Sequence, residues 1–578
     1  MDALIQATIP GIRQGMSTLG IEEDDWGSLL GPSTVSDHGD LAMACHSLAR
    51  VLRKSPVDIA EDICAAITPN LKGFAQVTSM NGFVNIKATN SWLSERVTEV
   101  ASDSRLGITK AENPRTIAID YSSPNVAKEM HVGHLRSTVI GDALARILSY
   151  QGHTVIRENH IGDWGTPFGM LIEHLLDLGE AEAGGEISVG DLDSFYKSAR
   201  GKFDEDSDFA ARSRARVVLL QSGDEDTLHL WKVLVNESTR YFNEVYRLLD
   251  VLLVDADLMG ESAYHPLLPS VVSRLSDAGL LEESGGADVV FPGGHLNREG
   301  EPLPLIIRKG DGGYNYATTD IACIIDRIER LNADDLLYVV GTPQSRHFEM
   351  VFEVCRMAGL LGAGHRSEHV NFGSVLGSDG KVLKSRSGSA VKLVDLLEES
   401  ISRATAVVDE KNPGLGEDEK NQIARSVGIG AVKFSDLSND RTRDYVFDWS
   451  KMLSFEGDTS PYLQYAHARI CSIFTKVEDS NWVDYPININ DHYEGRLARS
   501  LLSYRDSFES SARDLMPNRL CTHLLSISSA FTSFYENCPV LIVEDPEVRN
   551  GRLRLCDATA RSLKIGLSLL GIDAPERM

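Results

Sequence analysis

Residues 120–136 read DYSSPNVAKEMHVGHLR, and this stretch with its flanks sets the expected fold. A short β-prone run at 116–121 ends in a Ser-Ser-Pro-Asn turn, and an amphipathic run with apolar residues at helical spacing covers 134–149. Gly152 ends that run, and a second β-prone stretch follows at 154–157. The order strand, helix, strand predicts a parallel βαβ unit with a ligand crevice at the carboxyl ends of the strands.

Two histidines, His131 and His134, stand at the start of the predicted helix and share one of its faces. A helix N-terminus attracts phosphate through its free N–H groups and its dipole, and two imidazoles there can donate to phosphate oxygens. Gly133 lacks a side chain, so a flat base could lie close to the backbone. The alternatives are a metal pair, which lacks a third ligand here, or two structural histidines.

The composition bounds the class of protein. A chain of 578 residues is too long for one core, so three or four domains are expected. Hydrophobic residues make up 42% and charged residues 24%, as in ordinary soluble globular proteins. No apolar run reaches about eighteen residues, and the first residues resemble neither a secretion nor an import signal. We therefore expect a cytoplasmic protein without a membrane span.

Cysteine usage and charge add two further expectations. None of the eight cysteines makes a CxxC pair, so the sequence predicts a reduced protein without structural zinc or another metal site. The net charge of −27 argues against bulk polyanion binding. Residues 496–577, however, hold eleven Lys/Arg against ten Asp/Glu, so this part is nearly neutral. Its arginines could form a local RNA-binding surface, or they could simply be solvated helix residues.

The residues quoted so far resemble a known family. HVGH is similar to the "HIGH" signature of class I aminoacyl-tRNA synthetases, and SSPNVAKEMHVGHLRST is similar to the arginyl-tRNA synthetase version. Further matching stretches are NHIGDWGTPFGML (159–171), GES.Y (260–264), YNYATTD (314–320), VGIGAVKFSDLSNDRTRDYVFDW (427–449), FEGDTSPYLQYAHARI (455–470) and LLGIDAPERM (569–578). The resemblance runs almost from end to end.

The resemblance implies a multidomain α/β protein of bacterial type. Residues 1–110 would be an N-terminal α+β module that contacts the tRNA D-loop, although from sequence it could equally serve dimerisation or stability. Residues 111–412 would be a Rossmann-type catalytic domain with an insertion at about 176–300. Residues 413–578 would be an all-α anticodon-binding domain, with Asp557-Ala-Thr-Ala-Arg561 as a loose DALR signature. The family makes a monomer the first expectation.

The local pattern predicts secondary structure within these parts. Helices are expected at 37–53, 56–67, 321–331, 462–474, 497–515, 520–535 and 552–570. A hairpin with an Asn81-Gly82 turn is expected within 74–86. The stretches 303–308 and 336–340 are strand-like and are expected to return to the catalytic sheet.

The implied reaction uses ATP with Mg²⁺, L-arginine and tRNA-Arg. The signature stretch consists of Pro124, Asn125, Val126, Ala127, Lys128, Glu129, Met130, His131, Val132, Gly133 and His134. A second phosphate-binding signature, the KMSKS loop, matches 377–388 only loosely, and its candidate ATP contacts are Lys381, Lys384, Ser385 and Arg386. Ser385 replaces the second signature lysine. The resemblance implies that Lys128 compensates, so Lys128, His131, His134 and Lys384 are the expected catalytic residues.

Substrate arginine needs carboxylates that receive a charged, fork-shaped guanidinium. Asp120 ends the first strand, and Asp320 lies near a helix start. The resemblance implies arginine contacts at Asn125, Tyr316, Asp320 and Gln344. Local signals alone leave Asp320 open as a helix N-cap and Tyr316 open as core packing.

Three other classes of enzyme and one non-catalytic protein are the alternatives to this interpretation. Small HIGH-bearing adenylyltransferases lack the helical C-terminal half, cysteinyl-type synthetases usually carry a cysteine set for zinc, and glutamyl-type enzymes would want basic residues in place of Asp120 and Asp320. A tRNA-binding paralogue without catalysis is the rival outside enzymology. The resemblance further implies that arginine activation itself needs bound tRNA.

Overall fold

The N-terminal part packs helices against an antiparallel sheet in this computed structural model, which describes residues 2–33, 38–179, 192–383, 391–411 and 414–578. Its helices are α1 (Asp2–Thr18), α2 (Glu23–Trp26), α3 (Ala49–Leu52), α4 (Pro56–Leu71) and α5 (Asn90–Ser102), and its strands are β1 (Leu30–Pro32), β2 (Leu41–Ala44), β3 (Ala75–Met80) and β4 (Phe83–Ala88). The strand order is β1-β2-β4-β3. Asn81 and Gly82 turn between β3 and β4 with φ of 51° and 79°, which confirms the predicted hairpin.

The predicted helix at 37–53 is wrong. Residues 41–44 instead form β2, which pairs antiparallel with β4, and only Ala49–Leu52 is helical. Leu41 and Met43 are buried while Ala42 and Ala44 are less so, which is the two-residue period of a strand. A four-residue apolar run does not distinguish a strand from a helix until its pairing partner is known.

The catalytic region is built around a parallel sheet. Its strands are β5 (Thr116–Asp120), β6 (Thr154–Glu158), β7 (Glu282–Ser284), β8 (Ala287–Val290), β9 (Leu305–Arg308), β10 (Asp335–Tyr338), β11 (Arg366–His369) and β12 (Val375–Leu376). Its helices are α6 (Val132–Tyr150), α7 (Thr166–Leu178), α8 (Leu192–Glu205), α9 (Ser207–Ser222), α10 (Glu225–Leu249), α11 (Glu261–Tyr264), α12 (Leu268–Asp277), α13 (Tyr316–Glu329) and α14 (Ser345–Met357). The parallel order β11-β10-β5-β6 confirms the predicted β5-α6-β6 unit.

One strand assignment needs correction. β9 forms within the stretch predicted to return to the catalytic sheet, but it joins β7 and β8 in a separate antiparallel sheet. All four residues of β10 are buried, as in a central parallel strand, whereas Ile306 of β9 is exposed. Short apolar runs look alike in sequence, so only the side-chain environment separates these two strands.

The C-terminal part is almost wholly helical. It contains α15 (Leu393–Lys411), α16 (Glu417–Leu437), α17 (Trp449–Met452), α18 (Ser460–Phe474), α19 (His492–Leu502), α20 (Tyr504–Arg513), α21 (Pro517–Asn537) and α22 (Pro546–Leu569), with the short strand β13 (Tyr445–Val446). Single-turn 3₁₀ helices occur at Gly27–Leu29, Asp255–Asp257, His265–Leu267 and Thr342–Gln344. In the part of the chain that the structure describes, no helix has the length and apolar character needed to span a bilayer.

The single helix predicted at 497–515 is divided in two. It breaks at Ser503, whose N–H donates to both Arg499 and Ser500, a tightening typical of a helix end. The apolar stripe continues across the break through Leu501 and Tyr504, so periodicity does not reveal it.

The N-terminal module is joined to the helical part by polar contacts. Arg499 pairs with the buried Asp40 at 2.5 Å, and Thr98 of α5 accepts from the N–H of Ile487 at 2.9 Å. Arg561, in the loose DALR signature, donates to the carbonyls of Ala101 and Asp103 at the end of α5. A cation suits the carbonyls at a helix C-terminus, so this signature arginine joins two parts of the fold.

Candidate active site

The segment that follows β5 crosses the carboxyl edge of the parallel sheet in an unusual conformation. Ser122, Ser123 and Ala127 all have positive φ, at 74°, 48° and 57°. Such angles cost free energy in residues other than glycine and persist where surrounding contacts impose them. Tyr246 supplies one contact through its hydroxyl, 2.8 Å from Ser122 Oγ, and Ser238 accepts from the N–H of Ala127. The inserted helix α10 thus holds the segment in place.

His131 is the N-cap of α6, and both signature histidines are tied to its first turn. The N–H of Gly133 donates to His131 Nδ1 at 3.0 Å, and the N–H of His131 donates to His134 Nδ1 at 3.1 Å. The ring centroids are 4.2 Å apart. Because each Nδ1 accepts a hydrogen bond, each neutral ring carries its proton on Nε2. Two Nε2–H donors therefore stand side by side at a helix N-terminus.

The environment keeps both rings neutral. Burial, together with the nearby His131 and Lys128, lowers the pKa of His134 to about 3, although the backbone hydrogen bond acts in the opposite direction. Burial also lowers the pKa of His131, helped by Lys128 and opposed by Asp193. At neutral pH these imidazoles act as directed hydrogen-bond donors rather than as charges.

Glycine at position 133 leaves room for the imidazole of His131, in addition to the room for a base that the sequence suggests. A Cβ at this position would lie 2.6 Å from Cε1 and 2.8 Å from Nδ1 of His131. Any side chain would displace the imidazole from its place above the helix end. The glycine is therefore needed for the conformation of His131 itself.

Lys128 lies on the same side as the histidines. Its Nζ is 4.4 Å from the ring centroid of Tyr196, a residue of α8. Its positive charge lowers the pKa of both imidazoles. A cation above an aromatic face is restrained without losing its charge. The insertion thus contributes directly to the position of the expected catalytic lysine.

The chain that follows the loosely matching loop lies against this segment. Lys381 lies exposed in a turn closed by its carbonyl and the N–H of Gly377, while Lys384, Ser385 and Arg386 lie outside the described residues. Where description resumes, Val391 accepts from the N–H of Val132 at 3.0 Å. Two further contacts join the same two segments: the N–H of Leu393 donates to the carbonyl of Met130, and Lys392 forms an ion pair with Glu129. Residues 391–393, which follow the loop in the chain, are thereby held beside His131.

Asp120 is buried and already paired within the protein. Arg327 of α13 donates to it at 2.7 Å and to Glu158 at 2.5 Å, and the Arg327 side chain is only 1% exposed. Burial opposes ionisation of Asp120, but Arg327, His160 and Ser123 outweigh it, so the pKa of this carboxyl is below its usual value. Asp120 is an ionised, immobilised group at the strand end.

Asp320 and Tyr316 lie in the first turns of α13. The N-cap of this helix is Asn315, which excludes the N-cap alternative for Asp320. Asp320 Oδ2 is 2.5 Å from His347 Nε2, at the start of α14. Tyr316 is 73% exposed, which excludes core packing, and its ring is open to a ligand.

The two remaining expected arginine contacts are also exposed. Gln344 ends a 3₁₀ turn at the start of α14, one turn before His347. Asn125 lies against Gly162, where a Cβ would come within 2.5 Å of Asn125 Oδ1. Gly162 belongs to the stretch NHIGDWG, so this glycine makes room for the asparagine.

Three groups near the acidic residues were not predicted from sequence. Arg327 could have been, because it lies seven residues after Asp320 and shares its helix face. His160 Nδ1 is 3.7 Å from Cys323 Sγ, a contact that sequence spacing does not reveal. Glu261 is a third carboxyl, whose pKa burial, Asp163 and Asp320 raise to about 7.

Comparison with known proteins identifies the family. The model described as "tRNA synthetases class I (R), catalytic domain" matches residues 96–449, which is more than half of the chain. The chain belongs to the arginyl-tRNA synthetase family. Models described as "Arginyl tRNA synthetase N terminal domain" and "DALR anticodon binding domain" match residues 4–88 and 463–578. This membership excludes the adenylyltransferase, cysteinyl and glutamyl alternatives.

Individual members of the family match along their whole length. An arginine–tRNA ligase of Thermobifida fusca is 50% identical over 569 residues, which covers 97% of each chain. The crystal structure of arginyl-tRNA synthetase from Plasmodium falciparum superposes with a TM-score of 0.82 at 28% identity, covering 100% of this chain and 99% of that one. Arginyl-tRNA synthetase of Thermus thermophilus gives 0.80 at 25% identity, with 99% and 100% coverage.

Proposed function

We propose that this protein attaches L-arginine to tRNA-Arg in two steps. A carboxylate oxygen of arginine attacks the α-phosphorus of ATP, and pyrophosphate leaves. A ribose hydroxyl at the 3′ end of the tRNA then attacks the carbonyl carbon of the adenylate, and AMP leaves. Neither step needs a covalent enzyme intermediate, so positioning and charge stabilisation supply the catalysis. The observation that carries this proposal is the pair of Nε2–H donors at the start of α6 in a chain of this family.

The nucleotide would lie on the first turn of α6. His131 and His134 would donate from Nε2 to phosphate oxygens, and the adenine would lie near Gly133. Since both rings are neutral, their contribution is direction rather than net charge. Mg²⁺ would enter with ATP and offset part of the negative charge of its phosphates.

Positive charge at the phosphates would come from lysines. Lys128 stands beside the imidazoles and is restrained by Tyr196. Lys381, Lys384, Ser385 and Arg386 would contribute from the loop, which is followed in the chain by residues 391–393 beside His131. A compact ammonium suits this role, and Lys128 would supply the charge that Ser385 does not.

The arginine side chain would be received by carboxylates. Asp320 is partly exposed and offers acceptors for the guanidinium, with Tyr316, Gln344 and Asn125 as further contacts. Asp120 would act on the same cation from the strand end while held by Arg327. An ionised, preorganised acceptor costs little reorganisation when a permanent cation binds.

The anticodon end of the tRNA would meet an aromatic and cationic surface on the helical part. Tyr465 is 45% exposed, the Arg469 guanidinium lies 4.5 Å from the centroid of Tyr535, and Lys411 lies 4.6 Å from that of Phe455. These groups line or border a cavity of about 350 Å³. Aromatic faces and arginines suit the stacking and backbone contacts of single-stranded bases.

Two arginines in the matching stretch 427–449 have different roles. Arg441 is buried and donates to the carbonyls of Leu515 and Asn371, so it builds the boundary between catalytic and helical parts. Arg443, with 82% of its side chain exposed, remains available to RNA.

A requirement for tRNA in arginine activation has a physical route. β12, which precedes the loop at 377–388, pairs with β13, which leads into the helical part. Arg136 of α6 pairs with Asp436 of α16 and donates to the carbonyl of Arg443. RNA bound near Arg443 would therefore act on elements that lead to both phosphate-binding segments.

The proposal also covers the location, oligomeric state and domain roles of the protein. The protein would act as a cytoplasmic monomer, with an N-terminal module at 1–110, a catalytic domain at 111–412 and an anticodon-binding domain at 413–578. The polar contacts of α5 with the helical part favour a module that orients tRNA together with that part.

Amino-acid-dependent ATP–pyrophosphate exchange tests the proposal across twenty amino acids, with and without bulk tRNA. Among the twenty amino acids, we expect only arginine to support exchange. We expect that exchange to occur only when tRNA is present. Exchange at full rate without tRNA would contradict the tRNA requirement but not the activity. Filter binding of tRNA with no aminoacylation would instead favour a non-catalytic tRNA-binding protein.

A further inference from the structure

Three different metal-ligating side chains converge beside the acidic pocket. His160, Asp320 and Cys323 each offer one ligand atom, and these atoms all lie within 4.8 Å of one another. Asp320 and Cys323 are three residues apart on α13 and share a face, while His160 follows β6. Local spacing predicts no such site, because the ligands come from distant parts of the sequence.

The distance between the nitrogen and sulfur ligand atoms is close to the value expected around a tetrahedral ion. With bonds of about 2.3 Å to sulfur and about 2.05 Å to nitrogen, a tetrahedral Zn²⁺ places those two atoms roughly 3.5 Å apart. His160 Nδ1 and Cys323 Sγ are 3.7 Å apart. Asp320 is oriented by His347 at 2.5 Å, the kind of outer contact that positions a metal-binding carboxylate.

The three ligand types determine which metal ions the site would prefer. A thiolate, an imidazole and a carboxylate together suit a borderline-soft divalent ion such as Zn²⁺ or Co²⁺. Mg²⁺ prefers oxygen ligands and keeps its waters, so the ion that accompanies ATP would not compete for this place.

We propose that His160, Asp320 and Cys323 form a binding site for a borderline-soft divalent cation, and that the bound cation excludes L-arginine. Asp320 cannot serve both, since its carboxylate would be a metal ligand in one state and a guanidinium acceptor in the other. The exclusion rests on the proposed function, whereas binding of the cation does not. The site would make the enzyme sensitive to free Zn²⁺.

Cobalt binding tests the site without any activity measurement. The full-length protein, freed of metal with a chelator, is titrated with Co²⁺ while its absorption spectrum is recorded. We expect one equivalent to give a thiolate-to-cobalt charge-transfer band and the visible bands of a tetrahedral ion. Cys323→Ser should lose the charge-transfer band, and Cys556→Ser, an equally buried cysteine on α22, should keep it. Absence of the band, or its survival in Cys323→Ser, would overturn the proposal.

A second variant protects this test against misfolding. If thermal melting shows that Cys323→Ser does not fold, His160→Gln is used, and we expect at least about a tenfold weaker cobalt affinity. Unchanged affinity in a folded His160→Gln protein would place the ion elsewhere.

Competition with arginine tests the second part. Saturating L-arginine should remove the cobalt spectrum, and Zn²⁺ at constant Mg²⁺ should raise the KM for arginine in aminoacylation without changing kcat. Simultaneous binding of cobalt and arginine would overturn the exclusion. If the metal-free protein shows no arginine-dependent activity at all, the proposed function fails, while the cobalt result still decides whether the site exists.

Discussion

The two sides of the candidate site use opposite electrostatic devices. On the nucleotide side, formed by Lys128 to His134, burial keeps two imidazoles uncharged and backbone N–H groups fix their tautomer. On the arginine side, formed by Asp120 and α13, Arg327 keeps a buried carboxylate ionised. The difference matches the ligands, because phosphate oxygens need directed donors and a guanidinium needs charged acceptors.

This contrast explains why a lysine is needed beside the histidines. Two neutral imidazoles orient a triphosphate but add no net charge against its negative charge. In the proposed function the positive charge would come from other groups, and among the described residues Lys128 lies near enough to lower the pKa of both rings. The arginine side needs no such addition, since its own carboxylates carry the charge.

The largest expected effect is loss of the charged acceptor on the arginine side. Asp320→Asn should lower kcat/KM for arginine by a factor of about 10² to 10³, corresponding to about 3 to 4 kcal/mol, because the guanidinium loses its ionised partner. Steady-state aminoacylation at varied arginine measures this. Asp326→Asn is the matched control, since Asp326 lies on the same helix and pairs with Arg330. A change of less than tenfold in Asp320→Asn would remove Asp320 from the arginine site.

Loss of a directed donor on the nucleotide side should come next. His134→Gln should lower kcat by about 10² to 10³, the usual cost of removing one donor to a charged transition state. Aminoacylation with saturating arginine and varied ATP gives the value. The exposed His229→Gln serves as control. Wild-type kcat in His134→Gln would mean that the imidazole does not contact the phosphates.

A smaller effect is expected where the insertion positions Lys128. Tyr196→Leu should reduce kcat/KM for ATP by about 3- to 30-fold, corresponding to a cation–π contribution of about 0.5 to 2 kcal/mol. Tyr196→Phe keeps the ring and should stay near wild type. The double variant with Lys128→Ala should show no further loss beyond Lys128→Ala alone. Equal losses in the Leu and Phe variants would assign the effect to the hydroxyl instead.

The smallest expected effect concerns pH on the arginine side. The pKa of Glu261 is about 7, raised by burial and by Asp163 and Asp320, so this carboxyl is protonated below that pH and ionised above it. The KM for arginine should therefore fall by about fivefold as pH rises from roughly 6 to 8. Glu261→Gln should flatten this dependence, and the exposed Glu282→Gln should retain it. An unchanged profile in Glu261→Gln would contradict a role for this carboxyl.

Sequence patterns predict the frame of the site better than its electrostatics. Periodicity and turn residues are enough to locate α6 between β5 and β6, and the motif places His131 and His134 at its start. The Arg327 pair with Asp120 depends on how α13 packs against the sheet. Likewise, Tyr196 reaches Lys128 from an inserted helix, so no local pattern connects them. The helix predicted over 41–44 is wrong because β2 pairs with β4, about forty residues further along the chain. The strand β9 is predicted correctly, and only its sheet differs from the prediction.

A crystal structure with L-arginine and a non-hydrolysable ATP analogue tests the central contrast most directly. Nε2 of both His131 and His134 should lie about 3 Å from phosphate oxygens, and the guanidinium should lie within about 3 Å of Asp320. A nucleotide bound away from the first turn of α6, or a guanidinium that faces no carboxylate, would contradict the account.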